Sequence, residues 1–343
     1  MTDFTALPDL AARSLGGGVV MADDEFFAAA DNLVNPQPPV FRPHTFGPKG
    51  QVYDGWETRR RRTPGTDTVV VRLGAPGVVH GVIVDTAFFT GNYPPHAWVD
   101  GCAVDGYPGP AELLGADWFP LVPRRGLAGD TRTPFPVDVP RRCTHVRLTI
   151  DPDGGVARLR VHGEVVADPR LLPAVFDLAA LEHGGRVDGC SNMFYGSPQN
   201  LIAPGLAWVM GDGWETARRR DDGNDWVLIR LAAGGTIDLV DLDTSHFKGN
   251  APARATLRGV DARAADPGDP GSWFDLLPST SLQPDTRHRF VVSVARAVSQ
   301  VRLDVFPDGG MARLRLLGRP DDEGHAALVR RWREASDDEP GAR

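Results

Sequence analysis

Cysteine and long apolar runs are scarce in this chain of 343 residues, and each scarcity excludes a class of protein. The three cysteines form no Cys-x-x-Cys pair, which argues against a disulfide framework or a cysteine-based zinc site and favours a reducing cytoplasm. No run of about 18 apolar residues is present, so we expect no membrane-spanning helix and no membrane partner. The first residues lack the basic and apolar regions of a secretion signal, which again predicts a cytoplasmic location.

Lysine is almost absent, although the chain is not poor in charge. Lysine and arginine together number 37 against 45 aspartates and glutamates, a formal net charge of −8. A net acidic chain is a poor partner for a phosphate backbone, so we expect no nucleic acid partner. Only Lys49 and Lys248 are lysines. Because arginine serves as the generic cation elsewhere in this chain, these two positions become candidates for sites that need a compact ammonium group.

The chain contains three motifs twice, in the same order. Asp-Gly-Trp-Glu-Thr occurs at 54–58 and 212–216, Asp-Thr with a later Gly-Asn at 85–92 and 243–250, and Pro-Asp-Gly-Gly at 152–155 and 307–310. The first two motifs recur after 158 residues and the third after 155, so one loop is three residues longer in the first copy. The repetition predicts two domains of one fold, over 14–165 and 183–319, followed by a C-terminal segment over 320–343.

Each copy has the pattern of a mainly β protein. Short β-branched runs at 68–73 and 78–84 predict strands, and alternation on both sides of Asp153-Gly154 predicts a hairpin over 146–161, repeated over 301–316. Many short strands between glycines and prolines favour two tandem jelly-roll β-sandwich modules. Two helices are also predicted, a linker helix over 169–182 and a C-terminal helix over 322–335 that precedes an acidic tail.

Standard catalytic signatures are missing, so the repeated motifs supply the candidate residues. The sequence contains no G-x-S-x-G, no H-E-x-x-H, no phosphate-binding Walker loop and no G-x-G-x-x-G before a helix. In the first motif, Asp54, Glu57 and Arg59 are expected to converge on a polar ligand at the rim of a sandwich. The alternative is a tight turn with Trp56 in the core and solvated arginines after it.

The second motif follows a buried strand and differs between the copies. A carboxylate at that position, Asp85 or Asp243, needs hydrogen bonds or a cation. The alternative is an aspartate that only stabilises the turn. At two positions the residue type changes, with Phe88 and Thr90 in the first copy and His246 and Lys248 in the second. The change indicates that the copies have specialised, with an ionisable pair in the second.

Together these stretches resemble the allantoicase family. The residues that carry the resemblance are Phe46–Gly50, Asp54–Arg60, Val84–Phe89, Met210–Thr216 and Asp243–Asn250. The resemblance implies two galactose-binding-type jelly rolls, assembly as a homo-oligomer, and hydrolysis of allantoate to ureidoglycolate and urea. Allantoate is a small carboxylate with two ureido groups on one carbon.

For this reaction, catalytic roles are expected for six side chains: His246, Lys248, Glu57, Glu215, Asp85 and Asp243. His246 is the expected acid or base, Lys248 an electrostatic anchor, and the carboxylates hydrogen-bonding groups or bases. Substrate binding is expected from Lys49, Asp54, Arg59, Asn92, Arg218 and Asn250, with the arginines on the substrate carboxylate and the asparagines on its ureido groups. The sequence leaves open whether a divalent metal ion is a cofactor, and it assigns no metal ligand.

Two other functions fit the same pattern. Tandem jelly rolls also occur as non-catalytic modules that bind carbohydrate or another small ligand. Aromatic platforms for sugars are not evident outside the tryptophans expected in the core, which argues against this reading. The other alternative is a hydrolase of a related ureido or guanidino acid.

Overall fold

The computed structural model describes residues 3–336, which divide into two compact units. The first unit comprises the chain up to Val166 together with residues from Arg333, and the second comprises Ala167–Trp332. Both are built from antiparallel strands in matching order, which confirms the predicted mainly β class with two modules of one fold.

The first unit is organised around one long strand. Its strands are β1 Gly18–Ala22, β2 Phe46–Gly47, β3 Gly50–Gln51, β4 Trp56–Glu57, β5 Asp67–Asp85, β6 His96–Cys102, β7 Phe119–Gly126, β8 Arg132–Pro136, β9 Arg142–Asp151, β10 Gly155–Val156 and β11 Arg158–Val165, and its one short helix is α1 Pro110–Leu114. The early part of β5 pairs with β1 and β9, whereas its later part pairs with β8 and β11. The two strands predicted over 68–84 are therefore one, because the chain exchanges partners at the intervening glycines without turning back.

The second unit repeats this plan. Its strands are β12 Phe176–Asp177, β13 Arg186–Cys190, β14 Trp214–Glu215, β15 Asp225–Asp243, β16 Arg254–Val260, β17 Phe274–Ser281, β18 Arg287–Val291, β19 Val298–Phe306, β20 Gly310–Met311 and β21 Arg313–Pro320. The long strand β15 pairs with β13 and β19 early and with β18 and β21 late. Buried aliphatic side chains that alternate along β5 and β15 form the cores of the two units.

The hairpin predicted over 146–161 is wrong, and so is its counterpart over 301–316. β9 pairs with β5 and β6, and β11 pairs with the far part of β5. The turn between them is bound elsewhere: the Arg61 N–H donates to Asp153, and the Thr58 N–H donates to the Gly154 carbonyl. These bonds attach the turn to the first motif, so β10 pairs with β4.

The predicted linker helix over 169–182 is also wrong. This segment contains a 3-10 turn at Pro169–Leu171, the short strand β12 and a second 3-10 turn at Leu181–His183. The buried carboxylate of Asp177 accepts the N–H groups of Ala179 and Leu316, which holds β12 against β21. The apolar residues from Phe176 to Leu181 therefore join the core of the second unit and do not form one face of a helix.

The predicted C-terminal helix is present as α2, Asp322–Ser336. Its first turn carries Asp322 and Glu323, which suit the positive end of a helix dipole. The acidic tail predicted after it lies outside the described residues. Among the helices that the structure describes, none is long and apolar enough to cross a membrane.

A buried aromatic ring joins the second and third motifs in each unit. The Phe89 ring packs so closely on the Asp-Gly-Gly turn that a Cβ built on Gly155 would lie 2.0 Å from a ring carbon. In the second unit, a Cβ on Gly310 would lie 1.9 Å from the Phe247 ring. The glycine at this position is therefore a packing requirement.

Gly155→Ala is expected to lower the free energy of unfolding by about 1–3 kcal/mol, because the added methyl group overpacks the contact with Phe89. A shift of about 2–4 °C in melting temperature per kcal/mol would follow, measurable by calorimetry. Gly91→Ala is the matched control, since a Cβ there meets nothing within 4 Å. Equal melting temperatures for the two variants would contradict this account.

Candidate functional site

The three repeated motifs of the first unit meet around Glu57. This residue pairs with Gly155 on one side and with Ala28 on the other, so it lies on the middle of three extended segments. The Asn92 carbonyl accepts the Gly155 N–H at 2.7 Å, which brings in the second motif. The second unit repeats the arrangement around Glu215.

Glu57 and Asn92 form a close polar pair. The Asn92 Nδ2 donates to the Glu57 Oε1 at 2.6 Å. Burial raises the pKa of Glu57 above its ordinary value, although the hydrogen bond from Asn92 acts in the opposite direction. A carboxylate with a raised pKa is better suited to accept and return a proton near neutral pH than an exposed one.

Two cations lie close to one aromatic ring, that of Phe26, whose chain neighbour bonds the backbone of Glu57. Arg59 follows Glu57, the last residue of β4, by two positions. The Arg59 Nε donates to Asp24 Oδ2 at 2.9 Å, and its Cζ lies 5.2 Å from the Phe26 ring centroid. The Lys49 Nζ lies 4.6 Å from the same centroid. The N–H of the next residue, Phe27, donates to the main-chain carbonyl of Glu57, which ties this cluster to the backbone of that residue.

Lys49 is carried by an exposed loop, residues 38–53, which we call the Lys49 loop. Asp54 holds the start of this loop, because its Oδ2 accepts the Val40 N–H at 2.9 Å and the Nη2 of buried Arg158 at 2.8 Å. Burial opposes ionisation of Asp54, but these hydrogen bonds outweigh it and keep the pKa of that carboxyl below its ordinary value. Phe41 stacks on Phe88 with ring centroids 5.7 Å apart, which fixes the loop against the second motif.

The second unit keeps the carboxylate–amide pair without the two cations. The Asn250 Nδ2 donates to Glu215 Oε1 at 2.6 Å. Ala217 stands at the position of Arg59, and its N–H donates to Asn192 as that of Arg59 donates to Asp24. Arg218 is one residue further on and exposed. The loop that corresponds to the Lys49 loop is ten residues shorter, counted from Asn32 to Trp56 and from Asn200 to Trp214, and contains no lysine.

His246 and Lys248 lie on a turn that both units share. His246 has a φ of 72° and Phe88 a φ of 68°, and each donates its N–H to an aspartate, Asp285 or Asp130. The His246 Nε2 lies 3.1 Å from the Ala207 carbonyl oxygen, so this nitrogen carries the proton. The Lys248 side chain is 79% exposed, with Nζ 3.8 Å from Asp285 Oδ2.

Asp85 and Asp243 are buried and hold the same turn from inside. Asp85 Oδ1 accepts the Ala87 N–H at 2.9 Å, and Asp243 Oδ1 accepts the Ser245 N–H at 2.8 Å. The Asp85 Oδ2 also lies 3.6 Å from Arg132 Nε. These contacts correspond to the turn-stabilising alternative for both aspartates.

A family model, the allantoicase repeat, matches residues 8–166 and 176–321. The chain belongs to the allantoicase family. A protein of Nocardia farcinica named probable allantoicase is 60% identical over 319 residues, covering 92% of this chain and 95% of the relative. A probable allantoicase of Streptomyces coelicolor is 48% identical, covering 96% of this chain and 90% of the relative.

Solved structures of allantoicases share the fold. The crystal structure of allantoicase from Saccharomyces cerevisiae has a TM-score of 0.79 and 32% identity, with 92% of this chain and 96% of that chain covered. A second allantoicase structure has a TM-score of 0.77 and 34% identity, with 90% and 92% covered. The resemblance seen in the sequence, and the two-module architecture that it implies, are thus confirmed.

The residues around Glu57 do not form an evident metal site. Within residues 3–336, no three side chains of His, Cys, Asp or Glu are grouped so that they could hold a metal ion. The neighbouring carboxylates form salt bridges, Asp54 with Arg158 and Asp24 with Arg59. We therefore derive no step through a metal ion.

Three residues that position this allantoicase-family site were not among the sequence-predicted candidates. Asp24 orients Arg59, Phe26 contacts both cations, and buried Arg158 holds Asp54. The repeat contained a signal for one of them, because Arg158 recurs as Arg313 at the spacing of the third motif. The position of Asp24 is occupied by Asn192 in the second copy, so a comparison that looks for identical residues does not detect it.

Proposed function

We propose that this chain hydrolyses allantoate to ureidoglycolate and urea and that its first unit carries the reaction. The observation that carries the proposal is the arrangement of Glu57 and Asn92 beside Lys49 and Arg59, in a chain of the allantoicase family. A carboxylate substrate needs cations, and the position of Arg59 is an alanine in the second unit. The difference between the units supports turnover in the first.

In this proposal, substrate binding depends mainly on the positive charges that face the substrate carboxylate. The ammonium of Lys49 and the guanidinium of Arg59 hold the substrate carboxylate, and the salt bridge with Asp24 keeps the guanidinium in place. Asn92 donates to Glu57 through its Nδ2, which leaves its carbonyl oxygen to accept a ureido N–H. The Phe26 ring provides an apolar surface beside the two cations.

The reaction replaces one ureido nitrogen by a water oxygen on the central carbon. Glu57 takes a proton from the attacking water as the C–O bond forms. It returns that proton to the departing nitrogen as the C–N bond breaks, so that one water is consumed and urea leaves neutral. A carboxylate whose pKa is raised by burial is suited to both transfers.

The remaining sequence-predicted residues take supporting roles in this proposal. Asp54, Asp85 and Asp243 position loops and turns. His246, Lys248, Glu215 and Asn250, with Arg218, belong to a second-unit site that we propose does not turn over allantoate. Assembly as a homo-oligomer and a cytoplasmic location belong to the same proposal, and light scattering on the purified chain tests the first.

Urea release from allantoate by the purified chain is the direct test, measured across pH with and without a chelator. Because the base must be ionised and burial raises its pKa, kcat/KM is expected to fall with decreasing pH through a value above 4.5, the ordinary glutamate pKa. A chelator is expected to leave the rate unchanged.

Three outcomes would count against the proposal. Absence of urea under every condition would overturn the activity. Urea release from another ureido or guanidino acid, with none from allantoate, would identify that acid as the substrate. Rate loss in chelator that Mn²⁺ restores would contradict the metal-free mechanism.

A further inference from the structure

A cleft of about 300 Å³ opens in the second unit, away from the motifs described above. Its lining includes two tryptophans, two arginines and a leucine, Trp226, Trp273, Arg258, Arg302 and Leu228, and a loop with two prolines completes it. Neither the carboxylate–amide pair nor the turn with His246 contributes to its lining. It is therefore independent of the proposed function.

The corresponding place in the first unit is filled by a side chain. Leu113 of α1 is fully buried there, packed with Val70 and Trp118, the counterparts of Leu228 and Trp273. The loop that carries α1 is three residues longer in the first unit, and its counterpart has only a 3-10 turn, Pro270–Ser272.

The wall of the cleft is preserved although the leucine is lost. Trp118 Nε1 donates to the Leu113 carbonyl at 2.8 Å, and Trp273 Nε1 donates to the Pro267 carbonyl at 3.0 Å. With both indole N–H groups satisfied in the same way, the second unit retains an ordered aromatic wall around an open volume.

The charges at this place also differ between the units. In the first unit, Asp100 pairs with Arg147 one to one. Arg258 stands at the position of Asp100, and it shares the buried carboxylate of Asp304 with Arg302. Two guanidinium groups therefore share one carboxylate at the cleft, where the first unit has one guanidinium on one carboxylate.

A second aromatic residue accompanies the added charge. Trp226 stands at the position of Thr68, and the Arg302 Cζ stacks over its ring at 4.8 Å. In the first unit, Arg147 stacks instead over Trp118, at 4.6 Å. The guanidinium therefore packs on a different ring in the second unit, and Trp273 lines the cleft.

We propose that this cleft binds a small, flat aromatic monoanion, such as a ring that carries one carboxylate. A planar ring stacks on the indole walls, and the carboxylate takes the N–H donors of Arg258 that Asp304 does not use. Asp304 accepts from a single nitrogen of Arg258 among the described contacts, whereas a guanidinium has five N–H donors. Allantoate has no flat ring, so it does not match this chemistry.

Calorimetric titration of the intact chain tests the site, with indole-3-carboxylate as the probe. Saturable one-to-one binding with a Kd below about 1 mM is expected, and binding of the cation tryptamine at least tenfold weaker. Arg258→Asp, which restores the residue type of the first unit, is expected to weaken the carboxylate at least tenfold. Trp226→Thr is expected to weaken both the carboxylate and neutral indole.

Arg254→Asp is the matched control, because it reverses an exposed charge on the same strand outside the cleft lining. It is expected to keep wild-type affinity, and the Arg258 variants are expected to keep wild-type urea release. If the Arg258→Asp variant has a lowered melting temperature, Arg258→Leu repeats the test, because leucine keeps an aliphatic side chain at this position. Failure of the wild type to saturate, or unchanged affinity in both Arg258 variants, would overturn the proposal.

Discussion

Replacing Glu57 with glutamine is expected to lower kcat for urea release from allantoate by about 10²–10⁴-fold, the usual contribution of a positioned acid–base group. Glutamine preserves the shape of the side chain, and its carbonyl oxygen still accepts the hydrogen bond from Asn92. It removes only the ability to take a proton from water and return it to the leaving nitrogen. The expected loss therefore appears in kcat, with KM little changed.

Glu215→Gln is the matched control for this variant. Glu215 has the same hydrogen bond from an asparagine, in the unit that lacks the neighbouring cations. We expect near wild-type turnover from this variant. If both glutamine variants lost activity equally, the assignment of the reaction to the first unit would be wrong. If Glu57→Gln kept full activity, the proton transfer would belong to another residue.

Lys49→Met is expected to lower kcat/KM for allantoate by about 10–100-fold, because one charge-assisted hydrogen bond to the substrate carboxylate contributes about 1.5–3 kcal/mol. Methionine keeps an unbranched side chain that can still contact Phe26, so the variant removes the charge and preserves the packing. Since the ammonium holds the substrate and does not transfer the proton, the loss is expected mainly in KM. Initial rates over a range of allantoate concentrations separate the two parameters.

Lys248→Met provides the comparison, since it removes the other lysine of the chain. That side chain is largely exposed beside Asp285, where its charge contributes little. We expect unchanged KM and kcat. A large loss on Lys248→Met together with a wild-type rate for Lys49→Met would reverse the assignment of the two units.

The internal repeat predicted the architecture well, because the architecture depends on many sequence positions at once. Strand position and the two-module plan follow from local alternation and from ordered motifs, which a single sequence contains in full. Strand partners were predicted less well. The hairpin failed because the Gly154 carbonyl binds Thr58 of the first motif and the Asp153 carboxylate binds Arg61 just after it, more than 90 residues earlier in the chain. Local pattern carries no information about such distant hydrogen bonds.

The site was predicted in part, and the reason for the misses is physical. Glu57, Asn92, Arg59 and Lys49 come together, whereas Lys248, which was selected because lysine is rare and because the copies differ there, lies on the turn of the second unit. Both lysines are exposed, and only the folded chain shows that the Lys49 ammonium lies over the Phe26 ring whereas the Lys248 ammonium lies beside Asp285. The fixed spacing of 158 residues between the repeated motifs aligns Lys49 with Ala207, and this alignment conceals the ten-residue difference in loop length.

The placement of Glu57 between Ala28 and Gly155 has a consequence for how the protein is made. The flanking backbone partners come from opposite ends of the first unit, and the last of them is synthesised about a hundred residues after the carboxylate itself. In a nascent chain on the ribosome, Glu57 therefore lacks its backbone pairing with Gly155 until translation has passed the Asp-Gly-Gly turn. The activity that we propose for the first unit therefore requires nearly all of that unit to have been synthesised.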